Sequence, residues 1–293
     1  MEKKQPLTVI VGPTASGKSG LAVKLALRVG GEVISADSRQ IYTGLDIGTE
    51  KITAAEMRGV PHHCIDIASP RRSFSVEQWR RRAERAIEHC YRHNTLPILA
   101  GGTGLYVDAL VYGTEFPKVE PNATLRRSLE KLDAPALFSR LQILDPERAK
   151  TIERENPRRL MRAIEIATAL GKVPALSHNT PRYDVTWLGI NPPFPVLEER
   201  IATRLRRALK SGLLDETAML REELGLSWRR IDELGMEYRV CAAHLRGELA
   251  KEDLFDNLYR EVRRYAKRQL TWLKRYKDVA WHESAEDVLR AHP

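Results

Sequence analysis

Cysteine is scarce in this chain, and its arrangement excludes more than its number does. Cys64, Cys90 and Cys241 are the only three, they lie far apart, and no C-x-x-C pair occurs. Neither a zinc-finger spacing nor a disulfide framework is indicated, and a reducing compartment is the simplest setting. Long apolar runs are also missing: no stretch approaches the roughly 18 residues of a membrane-spanning helix. The opening MEKKQPLTVIVG enters a strand-like run at once. That leaves no room for a signal peptide and predicts a cytoplasmic protein with no membrane partner. Internal repeats and low-complexity segments are absent as well.

What remains is an ordinary globular composition of 293 residues, 42% hydrophobic and 30% charged, enough for one large domain or two smaller ones. The net charge of +9 fits either a polyanionic partner or a soluble protein that is simply basic, and the distribution of the charge tips the balance to the partner. Arginine gathers in Arg71-Arg72, Arg80-Arg81-Arg82, Arg158-Arg159-Arg162, Arg204-Arg206-Arg207 and the stretch Arg260 to Lys277.

Leu7–Val11 is a continuous apolar run, as a parallel strand buried on both faces requires. A helix is expected from Lys18 to about Val29, stopped by Gly30-Gly31. Val33–Ala36, His62–Ile67 and Leu96–Gly102 read as further strands, and Ser75 begins a helix with capping-box spacing to Gln78. Alternating strands and helices imply a parallel α/β sheet with flanking helices, whose ligands bind beyond the carboxyl ends of the strands. After about Phe116 the pattern turns helical. Asn156 is the expected N-cap, Pro157 the first helical residue and Gly171 the stop. Tyr183–Ile190 then reads as a return to the sheet, followed by a helix from Glu198. The expected organisation is a core over residues 1–115, an all-helical insertion over 116–182, and a second core segment over 183–293 with basic helices at its end.

The strongest chemical signal is G-x-x-x-x-G-K-[ST] from Gly12 to Ser19, lying between a strand and a helix. In such a loop, here Gly12, Pro13, Thr14, Ala15, Ser16, Gly17, Lys18 and Ser19, the backbone N–H groups of Ala15 to Ser19 surround phosphate oxygens. Lys18 sits on a terminal phosphate, and Ser19 reaches Mg²⁺. An ATPase needs in addition a metal-ordering carboxylate at a strand end. Leu96–Ala100 ends instead in Gly101-Gly102-Thr103-Gly104. The acids that do end expected strands are Asp37 and Asp66. Transfer chemistry is thereby favoured, with Asp66 left as an alternative metal carboxylate. Asp37, at a strand tip facing the loop, can accept a proton from an incoming nucleophile. Its plainer reading is a turn-capping aspartate. Gly44–Lys51 is either a substrate loop or a turn, while His62 and His63 point to opposite faces of a strand and suit a supporting role. Arg260–Lys277 places Val262, Ala266, Gln269/Leu270 and Leu273 inward and Arg260, Arg264, Lys267 and Lys274 outward. That basic stripe is either a solvated face or a phosphate-contacting one.

Six blocks, GPTASGKS, SADSRQIYTGLDIGT, VPHHCIDI, AGGTGLYVDAL, NPRRLMRAIEI and YAKRQLTWLKR, occur in an order that resembles the bacterial tRNA dimethylallyltransferase (tRNA isopentenyltransferase) family over nearly the whole chain. LGMEYR departs from the shorter element common in that family, with Gly235, Tyr238 and Arg239 as the corresponding residues. The resemblance implies a P-loop NTPase-like fold acting as a monomer. It implies transfer of a dimethylallyl group from dimethylallyl diphosphate to N6 of adenosine 37 of tRNA, with Mg²⁺ as cofactor and diphosphate as leaving group. It also implies Asp37 and Thr103 as catalytic residues. Contacts to the anticodon stem-loop would come from Asp37, Ser38, Arg39, Gln40, Thr103, Arg126, Arg158, Arg159, Leu160, Met161, Arg162, Gly235, Tyr238, Arg239, Lys267 and Arg268. Two other classes compete: a P-loop kinase of a small metabolite, and a non-catalytic RNA-binding P-loop protein.

Overall fold

The computed structural model describes residues 4–175 and 180–292 and divides into two compact units, residues 1–113 with 180–293, and residues 114–179. In the first unit the chain runs β1 (Pro6–Val11), α1 (Lys18–Val29), β2 (Gly31–Ser35), α2 (Ala54–Met57), β3 (His62–His63), α3 (Val76–Arg92), β4 (Leu96–Gly101) and α4 (Gly104–Val111). The second unit contains α5 (Ala123–Leu129), α6 (Ala134–Leu144), α7 (Pro146–Thr151) and α8 (Pro157–Leu170). The first unit then resumes with β5 (Asp184–Ile190), α9 (Phe194–Lys210), α10 (Leu213–Glu222), α11 (Trp228–Leu234), α12 (Met236–Leu245), α13 (Lys251–Leu273), β6 (Ala280–His282) and α14 (Ala285–Ala291). Among the described residues no helix is long and apolar enough to cross a membrane.

The six strands form one parallel sheet in the order β3-β2-β4-β1-β5-β6. Alternation along each strand divides the apolar residues between two faces. Leu7, Val9, Val11, Ile34 and Leu99 pack with Trp79, Ala83 and Ile87 of α3 and Val107 of α4. Ile10, Val33, Ile98, Leu188 and Ile190 pack with Leu21, Ala22 and Leu25 of α1. Trp79 is fully buried, stacks on Tyr106 at 4.2 Å, and donates its indole N–H to the Ser35 carbonyl at 3.0 Å. A third cluster joins Ile201 and Leu205 of α9 to Leu258, Val262 and Ala266 of α13.

Several elements differ from their sequence outlines for local reasons. The expected strand His62–Ile67 lasts two residues, because Cys64 and Asp66 adopt φ of 63° and 54° and turn the chain away. The helix expected from Glu198 starts at Phe194, since Pro195 lies in its first turn where a missing N–H costs nothing. The basic helix begins nine residues before Arg260 and ends at Leu273, so Lys274 to Lys277 lie beyond its regular turns. Strand β6 and helices α10 to α12 and α14 had no outline.

The 114–179 unit has its own core of Leu129, Leu137, Leu141, Leu160 and Ile164. Asn156 caps α8 by accepting from the Arg159 N–H, Pro157 opens the helix, and Gly171 ends it at φ 79°.

Candidate active site

At the carboxyl end of β1 the chain must turn sharply under its neighbour. A Cβ on Gly12 would stand 2.6 Å from the Ile190 carbonyl oxygen, so only glycine allows β1 and β5 to lie this close. Gly17 caps α1 at φ 91°, and the first N–H groups of that helix point into the loop, where helix geometry makes an anion site. The Lys18 ammonium folds back onto the Pro13 carbonyl at 3.1 Å. Burial and Arg204 hold it below the ordinary lysine value, against the opposing pull of Asp37 and Glu50. The Ser16 hydroxyl is buried and has no hydrogen-bond partner among the described residues.

Two segments distant in sequence complete this cradle. Gln269, buried on α13, accepts from the Thr14 N–H at 2.8 Å and donates to the Gly102 carbonyl at 3.1 Å, tying the loop to the tip of β4. From α9, Arg200 donates to the Ser16 carbonyl at 3.3 Å, and Arg204 donates to the Thr14 hydroxyl and the Glu237 carboxylate. Burial raises Glu237 above the ordinary carboxyl range, with Arg204 working the other way. Arg200 and Arg204 are one helical turn apart and so reach the same loop.

Across the cradle, β2 and β4 end side by side. The Thr103 N–H donates to the Ala36 carbonyl at 3.2 Å, and the Thr103 hydroxyl accepts from the Ser38 N–H at 3.2 Å. Asp37 Oδ1 accepts from the N–H groups of Arg39 (2.8 Å) and Gln40 (3.3 Å), so the turn-capping reading of Asp37 describes this oxygen correctly. Its other oxygen makes no hydrogen bond among the described residues. Asp37, Thr14, Arg204, Gly235, Tyr238 and Tyr265 line one cleft. Burial pushes the phenol of Tyr265, on α13, up to about 12, with Asp37 adding to the shift.

The Gly44–Lys51 segment is clamped. Glu216 of α10 accepts from the N–H groups of Asp46, Ile47 and Gly48 at 2.9, 2.8 and 3.0 Å, and from the Tyr238 hydroxyl at 2.7 Å. Gln40 donates to the carbonyls of Thr49 and Glu50. Arg39 donates to the Glu233 carbonyl and packs under Gly235, where a Cβ would come within 2.7 Å of the guanidinium. Asp66 is bound to Lys51 at 2.5 Å, together with Asp46 at 2.6 Å. Ser19 is exposed on the first turn of α1. Asp37 and Glu50 bring carboxylate charge to Lys18, so the polar groups near the loop that could serve a metal are oxygens. Such a set fits Mg²⁺, which keeps several waters and takes few protein ligands.

A model of the IPP transferase family matches residues 40–276. The chain belongs to the IPP transferase family. It is 42% identical to the tRNA dimethylallyltransferase of Thermomicrobium roseum over 97% of this chain and 88% of that one. With the Bacillus licheniformis protein of the same name it shares 39% identity over 97% and 93% of the two chains. Among solved structures, the full-length tRNA isopentenylpyrophosphate transferase of Bacillus halodurans superposes with a TM-score of 0.74 at 37% identity, covering 99% of this chain and 95% of that one. A eukaryotic dimethylallyltransferase acting on tRNA gives 0.77 at 26% identity, over 98% and 75%.

In this family member the P-loop, Asp37, Ser38, Thr103, Gly235 and Tyr238 are thus brought to one end of the sheet. Lys267 and Arg268 stay exposed on α13, the first 5.1 Å from the Phe194 ring centre and the second 5.9 Å from that of Tyr265. Arg239 is exposed and pairs with Glu261. In the 114–179 unit, Arg126 grips buried Glu165 in two-pronged fashion (2.7 and 2.8 Å), and Arg162 joins at 3.3 Å. Burial acts to raise Glu165, but these arginines and the Asn122 N–H hold it below the ordinary carboxyl value. Leu160 is buried in the core of that unit, Met161 packs against it, and Arg158 and Arg159 are exposed, Arg159 3.2 Å from Glu153. Sequence reasoning missed Arg200, Glu216, Tyr265 and the buried role of Gln269. For the arginines, the signal available was their i, i+4 spacing on an amphipathic helix.

Proposed function

We propose that this protein transfers a dimethylallyl group from dimethylallyl diphosphate to N6 of adenosine 37 in tRNA, releasing diphosphate. The observation that carries the reading is a phosphate cradle facing a strand-tip carboxylate with one uncommitted oxygen, in a chain of the IPP transferase family. The allylic C–O bond breaks, a C–N6 bond forms, and the amine proton passes to Asp37. Exocyclic adenine nitrogen is a weak nucleophile because its lone pair is delocalised into the ring, so a proton acceptor at that atom accelerates attack. Thr103 and Tyr265 form the wall between the two substrates. Lys18, the N–H groups at the start of α1, Arg200 and Arg204 stabilise the charge that grows on the departing diphosphate. Mg²⁺, held through Ser19 and the diphosphate oxygens, would add Lewis-acid stabilisation to the same leaving group.

The adenine must leave its stack to reach Asp37. Ser38, Arg39, Gln40, Gly235, Tyr238, Arg239, Lys267 and Arg268 are the contacts proposed for tRNA from the first unit. Arg126 and Arg158 to Arg162 are those proposed from the helical unit, which we read as an RNA-binding insertion. Of these, exposed Arg158 and Arg159 are the direct phosphate contacts, while Leu160 contributes by packing α8.

Incubation with unmodified tRNA, Mg²⁺ and either prenyl-labelled dimethylallyl diphosphate or γ-labelled ATP tests the reading. Prenyl label in tRNA with released diphosphate supports it. Transfer of the ATP label to a small acceptor, or tRNA binding with neither label moving, overturns it.

A further inference from the structure

The edge of the sheet away from the cleft carries a second cluster of reactive side chains that the proposed reaction does not use. Glu32 of β2 is buried within the sheet. Its Oε2 lies 2.6 Å from His63 Nε2 and 3.9 Å from His89 Nε2, and its Oε1 accepts from the Thr95 hydroxyl at 2.9 Å. Cys90, buried beside it in the last turn of α3, offers its sulfur, and the donor atoms of Glu32, His63 and Cys90 all lie within 4.8 Å of one another. The His63 and His89 rings meet edge-on at 5.6 Å.

We propose that Glu32, His63, His89 and Cys90 form a site for a borderline-soft divalent cation of the zinc class. A carboxylate, two imidazoles and a thiol are the donors such ions take, whereas an ion like Mg²⁺ prefers oxygen throughout. Zinc–ligand bonds of about 2.0–2.3 Å at tetrahedral angles imply donor separations of roughly 3.3–3.8 Å. The 3.9 Å His89–Glu32 separation is already near this range, while His89 stands outside the 4.8 Å cluster of the other three donors and must swing inward to join them. The 2.6 Å His63–Glu32 separation must open by about 1 Å, which an imidazole 26% exposed on a two-residue edge strand can supply. Thr95 fixes the far oxygen of Glu32 and so aims the near one, the outer-shell support that metal carboxylates require. Burial acts to raise Glu32, but its hydrogen bonds from His63 and Thr95 outweigh this and keep the carboxyl below its ordinary value. Cys90 is buried, and a cation takes it as the thiolate, so its proton leaves on binding. The ion would bind α3 to strands β2 and β3 just before the Cys64–Asp66 turn.

Cobalt(II) provides the test, because a thiolate ligand gives a charge-transfer absorption that the oxygen-only P-loop cannot give. The folded protein should bind one equivalent showing that band together with intense tetrahedral d–d bands, and Zn²⁺ should displace it. Cys90→Ser should abolish the charge-transfer band, and His63→Gln should weaken binding by at least about tenfold. Cys64→Ser and Cys241→Ser should leave both intact, with circular dichroism confirming the fold of each variant. The assignment is overturned if no thiolate band appears, if it survives Cys90→Ser, or if His63→Gln binds as the parent does.

Discussion

Replacing Gln269 by glutamate changes one atom, and the structure says what that atom does. The Oε1 position still accepts the Thr14 N–H, but the position that now donates to Gly102 becomes an oxygen about 3.1 Å from that carbonyl oxygen. Gln269 is only 5% exposed, so the new carboxylate is desolvated as well as repelled. Buried carboxyls commonly rise by a few pK units; a rise of about 2–3 units at 1.36 kcal/mol each puts the cost near 3–4 kcal/mol at high pH. The sign follows from the direction of the shift. A folded-state value raised above the unfolded value of about 4.3 leaves stability whole below pH 4.3. Stability falls as pH climbs through the folded value near 6.5–7, then stays level. When protonated, the carboxyl can donate to Gly102 as the amide does. Urea unfolding of Gln269→Glu and wild type across pH 4.5–8.5, compared as differences, reads this directly. Gln269→Leu strands the Thr14 N–H and should cost about 2 kcal/mol at every pH. Diphosphate affinity should fall more for the glutamate variant, since a negative charge then stands beside the cradle. A gap between Gln269→Glu and wild type that is flat with pH, or below about 0.5 kcal/mol at pH 8, refutes the reasoning.

Asp37→Asn keeps the oxygen that caps the N–H groups of Arg39 and Gln40 but removes the proton acceptor; turnover should drop by about 10²–10⁴ with dimethylallyl diphosphate binding retained. Near-normal turnover would take Asp37 out of the chemistry. In the helical unit the arginines should separate into two groups. Arg126→Ala leaves buried Glu165 with one arginine fewer and should destabilise by about 2 kcal/mol in thermal or urea unfolding. Joint substitution of Arg158 and Arg159 by glutamine should spare stability and flatten the plot of log tRNA affinity against log salt by one to two units. An unchanged slope would remove α8 from the RNA-binding surface.

Local patterns settled everything that depends on neighbours in the chain. Strand β1, the P-loop, the capped starts of α3 and α8, and the glycine stops of α1 and α8 all follow from apolar spacing, caps and punctuation, because each is stabilised within a few residues. Asp37 and Thr103 were legible for a related reason: in a parallel sheet, residues just past strand ends converge on one edge. What spacing could not disclose is which distant side chains satisfy that edge. Gln269 reads as one more inward position of an amphipathic helix, yet it spans 255 residues to reach Thr14. Glu216 reads as a surface acid, yet its carboxylate collects three backbone N–H groups and a tyrosine hydroxyl. Arg126 and Arg162 read as basic surface until Glu165 is found buried between them. A buried charge or an unpaired N–H must be answered by a partner, and only the packing of the whole chain decides which residue answers.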